Sequence, residues 1–160
     1  MAYLSRYRTA PGAGTLAALL LVLVFGSPAY VNWAQSSTDS NTAGGWFMRL
    51  LAWPAWRFDA DDSVQQVIAD DIKAILLVIL SFAFLAILPA ARSGSQFLQG
   101  WAAYIFAAAT AGLLAAFVQT GPTLLNAFQA AGTGAIYGLF VGWIVGAASL
   151  GGVRRTTVAA

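Results

Sequence analysis

Three long stretches of this chain, 15–33, 97–118 and 133–150, contain no charged residue, and a fourth, 72–88, contains one lysine at its edge. Crossing the hydrocarbon of a bilayer takes a helix of about 20 mostly apolar residues, with a range of about 17–25. Runs of that length restrict the fold more than any other feature of the sequence. In lipid every backbone N–H and C=O must be satisfied within its own segment, so uncharged runs of this kind form helices. The alternative, an unusually apolar water-soluble domain, fails on composition. Hydrophobic residues make up 59% of the 160 and charged residues 9%, against about 45–50% and about 25% in an average soluble domain. A globule this small has too much surface for its volume to hide that much apolar area.

The expected fold is therefore all-α, a polytopic membrane protein in one domain spanning residues 1–160. It has four transmembrane helices at about 15–33, 72–91, 97–118 and 133–150. The first of these also resembles a secretory signal: Arg6 and Arg8 precede an apolar run, and small residues follow at Ser27-Pro28-Ala29. Cleavage of residues 1–29 would leave three spans.

Between the first two spans, residues 34–71 read as an extracytoplasmic loop. Gln35 to Thr42 is polar and solvated. Trp46, Phe47, Leu50, Leu51 and Trp53 then recur at helical spacing until Pro54 stops the pattern. With Trp56 next and Arg49 and Arg57 alongside, this segment reads as a short interfacial helix. Trp46, Trp53 and Trp56 would sit in the headgroup layer, ring apolar and N–H wet. Ser63 and Gln66 have the spacing of a capping box for the second span, with Val64, Val67 and Ile68 as amphipathic turns leading into it. Asn126 and Gln129 mark an outer loop before the fourth span.

The charges give a direction. With the N-terminus inside, Arg6, Arg8, Arg92, Arg154 and Arg155 are cytoplasmic, and Arg49, Arg57 and Lys73 are outside or at the outer boundary. Positive charge beside span ends favours the cytoplasmic side, so both termini are expected there. All six aspartates fall outside on this arrangement. Seven arginines to one lysine, with abundant Ala and Gly, point to a prokaryotic cell membrane.

The most specific motif lies in the fourth span. Gly134, Gly138, Gly142 and Gly146 repeat every fourth residue, and residues so spaced share one helix face, where they admit another backbone closely. In the third span Ala103, Ala107, Ala111 and Ala115 form a matching stripe, with Ala108, Gly112 and Ala116 beside it. The pair can pack as an antiparallel hairpin, or the glycine face can receive a second copy or another subunit.

Chemistry-bearing groups are scarce. Cysteine, histidine and glutamate are absent, which removes thiolate chemistry, histidine-held haem and serine–histidine catalysis. Asp59, Asp61 and Asp62 lack the spacing and glycine of a calcium loop and read as a solvated helix start. Ser81, Thr110, Thr133 and Ser149, the hydroxyls within the spans, are expected to bond their own backbone. Scattered basic residues present no face for nucleic acid. No cofactor, metal or reaction is expected. The chain reads as a non-catalytic accessory or structural subunit of a larger membrane complex, with lipid and other subunits or its own copies as partners. The alternatives are a homo-oligomeric channel or small-solute or lipid carrier, and an outer sensor built on 34–71.

Overall fold

The structure, a computed structural model, describes residues 10–56, 64–88, 93–119 and 121–151. Every regular element among them is a helix: α1 (Ala10–Phe25), α2 (Pro28–Ser37), α3 (Ala43–Leu51), α4 (Val64–Ile87), α5 (Ser93–Ala116) and α6 (Leu124–Leu150). Calls resting on Arg6, Arg8, Arg57, Asp59, Asp61, Asp62, Ser63, Arg92, Arg154 and Arg155 lie outside the described residues.

Two helices are long and apolar enough to cross a membrane, Gly94–Ala116 and Leu124–Leu150, and a third crossing is made if α1 and α2 form one bent span. This is fewer than the four expected from sequence. The difference arises in α4, where every 18-residue stretch includes Asp70, Asp71 and Lys73. The first expected span, 15–33, is not continuous either: α1 stops at Phe25 and α2 leaves it at 57°.

Other boundaries move for local reasons. Residues 34–37 finish α2 instead of opening a loop, while α4 starts at Val64, so the amphipathic turns at Val64, Val67 and Ile68 are continuous with the second expected span. The helix α6 begins at Leu124, not near 133, because the Thr123 hydroxyl caps it by accepting the Asn126 N–H at 3.1 Å. Asn126 and Gln129 are thus exposed helical residues, not a loop. The turn before them uses Gly121 at φ 71°, a conformation that favours glycine.

The hairpin α5–α6 is the centre of the molecule. Round it the contacts close a ring, with α4 on α5, and α1 between α4 and α6. A methyl added at Gly14 of α1 would meet Leu85 Cδ1 at 2.6 Å and Ser149 Oγ at 2.7 Å, and one at Gly100 would meet Ser149 Oγ at 2.8 Å. The start of α1, the end of α4, the start of α5 and the end of α6 therefore gather at one end. Tyr104, Tyr137, Leu77, Val141 and Val145 fill the core, all fully buried.

Candidate functional site at a broken helix

All four stripe glycines of α6 are buried and face α5 of the same chain. A methyl at Gly138 would lie 2.6 Å from Ile105 Cα, one at Gly142 2.9 Å from Trp101 Cδ1, and one at Gly146 2.7 Å from the Phe97 carbonyl oxygen; one at Gly134 would strike the Ala108 carbonyl. Helical glycine costs about 1 kcal/mol relative to alanine. Here it lets two backbones touch, which is what holds helices together where lipid offers no hydrophobic drive. Ala103, Ala107, Ala111 and Ala115 are buried as well, as are Ala108 and Ala116. Polar contacts join the same hairpin: Trp101 Nε1 donates to the Leu139 carbonyl at 3.0 Å, and the Tyr104 and Tyr137 hydroxyls lie 3.1 Å apart in the core. Ser81, Thr133 and Ser149 each donate to the carbonyl four residues earlier in their own helix.

Of the tryptophans of the α3 segment, Trp53 is drawn inward and Trp46 stays exposed. Trp53 stacks on Tyr137 with ring centres 4.9 Å apart, and its Cζ2 would be 3.0 Å from a methyl at Gly134. Trp46, 43% exposed, sets an edge contact on Phe140 at 5.3 Å. Tyr137 stands about 20 Å along α6 from its start, at about 1.5 Å per residue. The α2–α3 unit thus packs beside the middle of the hairpin. Arg49 ties that unit together, donating to the carbonyls of Gln35 at 3.0 Å and Thr38 at 2.6 Å, the last turn of α2 and the residue beyond it. Tyr30 reaches back to the Met48 carbonyl at 3.1 Å.

Trp56 is held at the break between α1 and α2 by two hydrogen bonds. Where α1 stops, its indole N–H donates to the Val22 carbonyl at 3.1 Å, and its backbone N–H donates to the Gly26 carbonyl at 3.0 Å. Ser27 caps α2 on the other side, accepting the Tyr30 N–H at 3.3 Å, and Pro28 starts that helix with no N–H to satisfy. At Gly26 a side chain would strike the Pro54 carbonyl, so glycine is required for the approach. The break is therefore a built feature. Small residues that resemble a cleavage signal in sequence are a helix–helix corner in space.

Beside the break, α1 and α4 leave a groove of about 450 Å³. Leu19, Leu23, Ile75, Val78 and Ile79 form its length, and Trp56 and Asp71 stand at the end next to the break. One turn away Lys73 bridges Asp70 at 2.7 Å and lies over the Trp53 ring, 5.4 Å from its centre. Both partners of that pair are largely sheltered, with side chains 16% and 17% exposed. The sequence places these charges at a span boundary; in the structure the Lys73 ammonium lies over the Trp53 ring, which itself stacks on Tyr137 of α6.

Among the described residues no group of three or more acidic, histidine or cysteine side chains is placed to hold a metal. Compared with known protein families, curated proteins and solved structures, the chain matches none. Fold and site define its class: an all-helical protein with two membrane-length helices, or three if the broken pair is one span.

Proposed function

We propose that the chain is a non-catalytic, multi-pass subunit of a larger assembly in a prokaryotic cell membrane, with both termini cytoplasmic. The partner contact is not the glycine stripe, which α5 already fills, but the outer half of α6. There Asn126, Gln129 and Thr133 recur on one face, all exposed, and Gly132 beside them has open space where a side chain would stand. Leu124, Leu125 and Phe128 around them are 67–70% exposed. This face carries the reading. Apolar side chains alone would be content with lipid, but side-chain amides in apolar surroundings need hydrogen-bonding partners. Amides beside a small residue are the usual means by which membrane helices join. The direction rests on the arginines that flank, in sequence, the helix ends gathered at one end of the bundle.

Mild-detergent extraction at native expression followed by native mass spectrometry tests it. The expected species is heavier than 16.7 kDa plus bound lipid, and the pair Gln129→Leu and Gly132→Leu should release a folded monomer. A monodisperse wild-type monomer without a partner would overturn the proposal. A reporter fused after Ala160 that is active only outside the cell would reverse the direction.

A further inference from the structure

We infer that the partner at the exposed face of α6 is a second copy of this chain, its α6 lying parallel to the first across a two-fold axis along the membrane normal; this rests on the subunit reading above. Leu125, Gln129, Gly132, Ile136, Leu139 and Trp143 are all exposed, and they follow one another at alternate spacings of four and three residues. That spacing averages about 3.5, the repeat of a seam between two helices wound into a left-handed pair. The seam lies on a side of α6 that its neighbours leave free. Gly138 and Gly142 meet α5, Val145 and Ser149 meet α1 at Gly14, and Trp46 touches Phe140.

The composition of the seam decides what covers it. Its large apolar residues would be satisfied by lipid, but Gln129 would not. Among the described residues its side-chain amide has no hydrogen-bond partner, while its backbone carbonyl accepts the Thr133 hydroxyl at 3.0 Å. An amide carries donor and acceptor together, so another amide complements it. Copies of one membrane protein insert the same way round, and a two-fold axis then brings each seam residue opposite itself. Gln129 meets Gln129, and two reciprocal N–H to C=O bonds satisfy both. One turn further along, Gly132 has open space where a side chain would stand, so the second backbone can come close beside the amide pair. A single polar residue in an otherwise apolar seam is also what fixes register and strand number. Symmetry would set any charge on this face against its own copy, and the 27 residues of α6 carry none. The face is self-complementary.

The chain has no cysteine, so single thiols test this in the full chain in its native membrane. Leu125→Cys, Ile136→Cys and Leu139→Cys should each oxidise with copper phenanthroline to a species of twice 16.7 kDa. The axis holds each within disulfide reach of its copy, with Cα atoms less than about 7 Å apart. Phe106→Cys on α5 and Ile79→Cys on α4, exposed but off the seam, should stay single. In liposomes, Gln129→Leu should raise the protein-to-lipid ratio at half dimerisation by about fivefold or more, the worth of amide pairing between membrane helices. Cross-linking no greater at the seam than at the two off-seam positions overturns the inference, as does an unchanged midpoint in Gln129→Leu. A native complex holding one copy of this chain and a different protein also overturns it, and leaves the subunit reading standing. A wild-type monomer without any partner overturns both.

Discussion

Two tyrosine hydroxyls, Tyr104 and Tyr137, face each other at 3.1 Å with no exposure, in a core made mostly of Ala, Val and Leu. Each is the other's partner, so removing one leaves a buried hydroxyl unsatisfied at about 1–3 kcal/mol. We expect Tyr104→Phe and Tyr137→Phe each to destabilise by that amount. The double variant should cost less than the sum, because nothing is then left unpaired. Unfolding in mixed micelles titrated with dodecyl sulfate and followed by circular dichroism measures this, and strict additivity would deny the coupling. These residues were visible in the sequence only as aromatic positions within spans. Their pairing needs the register of α5 on α6, which is a tertiary property. Trp56 was hidden for the same reason. Its bond to Val22 joins positions 34 apart, and no local pattern announces it.

At the level of elements, the glycine period was plainly legible, because spacing by four places residues on one face whatever the fold. What spacing leaves open is which helix lies in the groove, and α5 of the same chain does. The consequence separates two glycines of one helix. Gly138→Leu should part the hairpin and destabilise the protein by about 1–3 kcal/mol or more, since Ile105 backbone cannot yield. Gly132→Leu should leave stability unchanged, since open space surrounds it. The same unfolding titration compares them, and equal losses would show that the stripe is not the packing face. The element ends were less legible than the elements. Asn126 and Gln129 resemble a loop by polarity, yet they are helical because Thr123 supplies the cap and their side chains point outward. Asp70, Asp71 and Lys73 resemble a membrane boundary, and α4 runs through them with Lys73 and Asp70 paired three residues apart.

For the molecule as a whole, one physical condition supports everything above: apolar side chains on the outside of the bundle face lipid. Phe106 on α5 is 64% exposed, and Ile136 and Phe140 on α6 are 46% and 44% exposed. Water would not tolerate so large an apolar surface on a chain this size. Because the chain has no cysteine, a nitroxide can be placed at Phe106→Cys with no competing thiol, in protein reconstituted into liposomes. Its collision rates with oxygen, which concentrates in hydrocarbon, and with a water-soluble nickel chelate then report the solvent directly. The account predicts that oxygen reaches the label far more readily than nickel does, and that a label at the exposed Ser40→Cys in the α2–α3 turn shows the opposite ratio. Nickel reaching the Phe106 position as readily as the Ser40 position would contradict it.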